Sequence, residues 1–75
     1  DKMDKLFKLY NSIALKKGFR LEVYHSETMN WCVTIHSNSG EKITDIENSE
    51  MEPAFMKAYK DLKNWLKENG EHIYD

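Results

Sequence analysis

From Met3, apolar residues fall at Met3, Leu6, Phe7, Tyr10, Ile13 and Ala14, the three-and-four spacing of one helix face. Gly18 accepts the left-handed conformation that closes a helix, and Lys16 and Lys17 stand where the helix dipole favours cations, so a helix is expected over about 3–17. Asp1 with Lys5 and Asp4 with Lys8 add i,i+4 support. From Phe19 the period changes to two. Phe19, Leu21 and Val23 alternate with Arg20, Glu22 and Tyr24, and Trp31, Val33 and Ile35 alternate with Cys32, Thr34 and His36. These predict strands over about 19–25 and 30–36, and Ser37-Asn38-Ser39-Gly40 supplies the turn into a third over about 41–47. In that third strand Ile43 and Ile46 are three apart, so a bulge near Thr44 and Asp45 is needed if both face inward. A second helix over about 50–69 carries Phe55, Ala58, Tyr59, Leu62, Trp65 and Leu66 on one face and Lys57, Lys60, Lys63 and Lys67 largely off it. Its start reads two ways: a capping box from Ser49 to Glu52, or a first turn opened by Pro53. Asn69-Gly70 ends it, leaving residues 70–75 as a tail.

The order α-β-β-β-α predicts one α+β domain over residues 1–75, a three-stranded antiparallel sheet with both helices packed on one face. The odd-numbered strand residues then face the helices. Arg20, Glu22, Tyr24, Cys32, Thr34 and His36 are left on the opposite, solvated face. Repeats, low-complexity segments and linkers are absent from the sequence.

Seventy-five residues lie near the lower limit for a core without staples, and the nine aromatic residues help by burying a large area each. Cys32 is alone, so no internal disulfide is available. A single cysteine and no N-terminal apolar run lead to the expectation of a cytoplasmic protein without signal peptide or membrane span, with Met3 as its natural start. The net charge of −2 is unevenly spread. Residues 1–20 hold six basic and two acidic side chains, whereas residues 41–52 hold Glu41, Asp45, Glu47, Glu50 and Glu52 against Lys42. A partner would therefore be chosen by one patch rather than by global attraction.

Candidate chemistry is sparse. Cys32 and His36 share a strand but lie roughly 13 Å apart along it, too far for a thiol–imidazole pair. Of the groups expected beside Cys32, namely Tyr24, Glu22 and Thr44, none is a base matched to a thiol. Zinc needs four ligands, and one cysteine with histidines at 25, 36 and 72 does not supply a recognisable set. Gly18, Gly40 and Gly70 each mark an element boundary rather than a phosphate loop. The lysines of the second helix fall in a region, 53–75, that is neutral overall, as a solvated helix face would be. No catalytic, cofactor-binding or metal residue is assigned, no cofactor is expected, and the chain is read as a non-enzyme.

Two resemblances are carried by layout. The element order from Met3 to Gly70, with Ala58 and Leu62 on the inner face of the second helix, resembles the double-stranded-RNA-binding domain. That family grips phosphates with lysines at the start of its second helix; this chain has Glu50-Met51-Glu52-Pro53 there, and the segment from His25 to Asn30 lacks the family's Gly-Pro-x-His pattern. The same topology with an acidic third strand, in "SNSGEKITDIENSEMEP", resembles small phage-encoded anti-CRISPR inhibitors, which present carboxylates to the DNA-reading surface of a nuclease. Carboxylates on an edge strand and at a helix start also discourage strand pairing and favour the helix dipole. The expectation is a cytoplasmic, non-enzymatic binding module of a phage or other mobile element, occupying a basic surface of a protein partner through Glu41, Asp45, Glu47, Glu50, Glu52 and Tyr24. The alternative is a divergent nucleic-acid-binding domain using the basic first helix and the lysines of the second; neither reading involves a membrane.

Overall fold

The computed structural model describes residues 2–71, with the elements in the order α1 (Lys2–Lys17), β1 (Arg20–His25), β2 (Trp31–His36), β3 (Lys42–Asn48) and α2 (Met51–Glu68). The fold is α+β, with each element within about a residue of its expected span at either end. Asp1, expected to support the first helix through Lys5, and residues 72–75 of the tail, including His72, lie outside the described residues.

The strands form an open antiparallel meander in the order β1-β2-β3. Two cross-strand rows face the helices: Val23, Val33 and Ile46, and next to them Leu21, Ile35 and Thr44. One continuous core joins these to Leu6, Leu9 and Ile13 of α1, to Phe19, and to Ala54, Phe55, Ala58, Leu62 and Leu66 of α2. Each large side chain fully buried there contributes about 1.5–3 kcal/mol. Trp31, Tyr59 and Trp65 are half-buried at its margin, Trp31 against the ring of His25 at 4.8 Å and Trp65 edge-on to Phe19 at 5.4 Å.

Three details differ from the sequence reading. The inner stripe of α1 is Leu6, Leu9 and Ile13, spaced three and four, whereas Phe7 is exposed and meets Phe55 edge-on at 5.6 Å. α1 packs on α2, which lies on β2 and β3, and the stripe of α1 is rotated toward Leu9 accordingly. The bulge lies at Ile43, one residue before the expected place, because Ile35 pairs with Thr44 while the adjacent His36 pairs with Lys42. Thr44 is consequently buried on the inner side, where its hydroxyl donates to Asp61 at 2.8 Å, and it is not beside Cys32. Finally, α2 follows neither proposed start. Glu50 is the N-cap without a side-chain cap bond, and its N–H donates to Asn48 Oδ1 at 2.8 Å. Pro53 then stands at the third helical position, where a missing N–H removes no helical hydrogen bond.

Both hairpins close with the same turn. Ser26 N–H donates to the Asn30 carbonyl and Ser37 N–H to that of Glu41, each at 2.8 Å. The fourth turn residue, Met29 or Gly40, donates back to the serine carbonyl at 3.0 Å. The closing residue's N–H reaches the serine hydroxyl at 3.1 Å, and that hydroxyl meets the third residue's, Thr28 or Ser39, at 2.9 Å. The turn requires a positive φ at its fourth residue: Gly40 adopts +87° and Met29 +65°. Methionine in this conformation is strained, because its Cβ crowds the backbone where glycine has none.

Candidate functional site

Alternation along the three strands builds the outer sheet face from three cross-strand rows. Arg20, His36 and Lys42 form the first, Glu22, Thr34 and Asp45 the second, and Tyr24, Cys32 and Glu47 the third. The face is therefore basic at one end and acidic over the rest. Neighbouring strands lie about 4.8 Å apart, so the carboxylates of the last two rows stand at both margins of a narrow ledge with Tyr24 among them.

Tyr24 is 55% exposed, a large aromatic ring on an otherwise polar surface. Hydrogen bonding to Cys32, then the charge of Cys32, desolvation, and the carboxylates of Glu47 and Asp45 that oppose a phenolate raise its pKa above the ordinary tyrosine value. At neutral pH it is thus an uncharged phenol. Cys32 was expected in solvent on this face, yet it is only 6% exposed. It occupies the central strand, and its cross-strand neighbours Tyr24 and Glu47 are both longer and close over it. The thiol also lies 3.9 Å from the Asn30 carbonyl.

The residues expected to form one acidic edge separate into three places. Asp45 and Glu47 share the outer face with Tyr24; Asp45 pairs with Lys42 at 3.0 Å, and Glu47 accepts from Asn30 Nδ2 at 2.7 Å. Glu50 and Glu52 line a shallow, solvent-open depression of about 340 Å³ with Pro53 and Met56, at the start of α2 where the helix dipole favours carboxylates. Glu41 stands at the far end of the hairpin and accepts the indole N–H of Trp65, which ties β3 to α2.

Two residues of this surface are not among the binding candidates expected from sequence: Glu22, expected only on the outer face, and Met29. Glu22 joins Asp45 across Thr34, a proximity that only the strand register discloses. Met29 protrudes 66% exposed from the β1–β2 tip, and aligning Ser26-Glu27-Thr28-Met29-Asn30 with Ser37-Asn38-Ser39-Gly40-Glu41 would have marked it as the residue in a glycine position. On the helical side, the ammonium groups of Lys5 and Lys63 lie 6.0 and 5.7 Å from the centre of the Tyr59 ring. Among the described residues no three histidine, cysteine, aspartate or glutamate side chains gather as a metal site, and no helix is long and apolar enough to cross a membrane. The chain matches no protein-family model, no curated protein and no solved structure.

Proposed function

We propose that this chain is a non-enzymatic binding module that occupies a basic surface of a protein partner with its outer sheet face. The observation that carries the reading is the exposed phenol of Tyr24 among Glu22, Asp45 and Glu47 on one ledge. An aromatic ring flanked by carboxylates suits a basic protein surface, since the ring supplies contact area and the charges select the partner. Glu50 and Glu52, at the adjoining end of β3, extend the negative field. The single cysteine suits a cytoplasmic setting, and the resemblance to phage-encoded inhibitors makes a nucleic-acid-reading protein surface the kind of target proposed.

Replacing Glu22, Asp45 and Glu47 with lysine is expected to abolish binding to a partner isolated from the native host and to leave the circular dichroism spectrum unchanged, because exposed charges add little stability. The competing reading, nucleic-acid binding through the lysines around Tyr59, is separated by titrating the wild-type protein into labelled duplex at low salt. No complex is expected even at tens of micromolar, whereas basic proteins bind duplex nonspecifically in about that range. A salt-sensitive micromolar complex would replace the protein partner by nucleic acid.

A further inference from the structure

We propose that two copies of this chain associate through the free edges of their β1 strands, antiparallel about a two-fold axis, forming one six-stranded sheet. This goes beyond the reading above, because it concerns the rim of the sheet rather than its acidic face. The Ser26 N–H bond to the Asn30 carbonyl fixes the phase of the β1–β2 ladder: the pairs Tyr24–Cys32, Glu22–Thr34 and Arg20–His36 exchange hydrogen bonds. Leu21, Val23 and His25 therefore aim their N–H and C=O groups away from β2, and among the described residues no strand lies beyond them.

The two edges of the sheet are treated differently. Edge strands are ordinarily blunted by bulges, charged side chains (lysine above all), proline or a covering element. β3 has the bulge at Ile43, carries Lys42 and is packed along α2. β1 pairs regularly over its whole length, contains neither lysine nor proline, and carries two charges of opposite sign, Arg20 and Glu22. Its inward residues Leu21 and Val23 are half-buried although their partners Ile35 and Val33 are fully buried, so the apolar layer stops short at this rim. The same residues of a second copy would continue it.

Charge complementarity selects the second copy as occupant. Arg20 and Glu22 lie two apart on the outer face. Antiparallel pairing centred on Leu21 sets Arg20 opposite Glu22 of the second copy, and the two-fold axis repeats the contact. Centring on Glu22 would oppose two carboxylates, and centring on Val23 would set Glu22 against Tyr24 and Arg20 against Ser26, so the Leu21 register is the one that matches opposite charges.

Sedimentation equilibrium of the full chain, from about ten micromolar to about one millimolar, is expected to show a reversible dimer whose constant weakens at least about tenfold in Arg20→Glu. The double variant Arg20→Glu/Glu22→Arg, which restores complementarity with the signs exchanged, returns it to within about threefold of the wild type. Wild-type amide exchange gives a readout that needs no variant: the N–H groups of Leu21 and Val23, which this register places opposite Leu21 and Phe19 of the second copy, gain protection as concentration rises. A monomer throughout the range overturns the proposal, as does a dimer indifferent to Arg20→Glu, a failed charge exchange in a folded double variant, or a dimer in which those two amides still exchange freely.

Discussion

The repeated hairpin turn permits an internal comparison of backbone strain. Gly40 and Met29 occupy the same position in two turns with matching hydrogen-bond distances, at φ +87° and +65°. A left-handed conformation costs a non-glycine residue about 1–2 kcal/mol. Glycine gives back about 0.5–1 kcal/mol through the greater freedom of its unfolded chain. Met29→Ala removes the side chain and keeps the strain, whereas Met29→Gly removes both, so the glycine variant should exceed the alanine variant by about 0.5–1 kcal/mol. For a domain of this size that is about 2–8 °C in melting temperature. Gly40→Ala, the reciprocal change, should lose a similar amount, since open space surrounds a Cβ at that position and strain is the principal term. Urea titration and thermal melting followed by circular dichroism measure all three against the wild type. A glycine variant no more stable than the alanine variant would refute the assignment of strain to Met29.

Leu62→Ala, at a fully buried site of α2, should cost about 2–5 kcal/mol by denaturant titration, a large share of the stability of so small a domain. Gly18→Ala should destabilise even though alanine favours helices, because Gly18 sits at φ +66° and an added Cβ would come within 3.1 Å of Asn38 Cβ; an unchanged denaturation midpoint would contradict this. The Tyr24 phenol, with its folded pKa raised, contributes stability that is present below the ordinary tyrosine value of 10.0 and is lost as pH rises through the raised value. In a phenolate absorbance titration, with Tyr24→Phe identifying the signal, Cys32→Ala should move that pKa back toward 10.0, because the hydrogen bond to Cys32 is its largest cause.

Element types were legible because each apolar period is unmixed: three-and-four in the helices, two in the strands, with turn residues between. What resisted was which residues are neighbours across elements. Leu9 lay outside the assigned face of α1 because Phe7 and Leu9 stand on opposite flanks of Leu6, and only the position of α2 decides which one is covered. Cys32 was assigned to solvent by alternation alone, which names the face of a residue but not the size of its cross-strand neighbours. The acidic candidates scattered for the same reason. Runs of charge in sequence record spacing along the chain, whereas Glu41 is drawn to Trp65 and Glu22 to the company of Asp45 by pairings between elements.

The composition of the outer face rests on one residue of β3. His36 pairs with Lys42 on that face, and strict alternation from Lys42 would turn Ile43 inward, Thr44 outward, Asp45 inward, Ile46 outward and Glu47 inward. Two carboxylates would then enter the core and an isoleucine would leave it, at a cost of several kcal/mol for each buried charge. The bulge at Ile43 absorbs one residue and reverses the phase: Thr44 and Ile46 turn to the helices, while Asp45 and Glu47 join Glu22 and Tyr24 outside. The buried Thr44 hydroxyl that results is satisfied by Asp61, which Lys57 holds in turn from the next helical turn. Among the described residues no buried side-chain nitrogen or oxygen lacks a hydrogen-bond partner, so the shifted register leaves no polar group stranded. Burial of the two isoleucines therefore forces the bulge, and the bulge in turn assembles the acidic face and blunts the edge of β3, leaving β1 as the rim open to pairing.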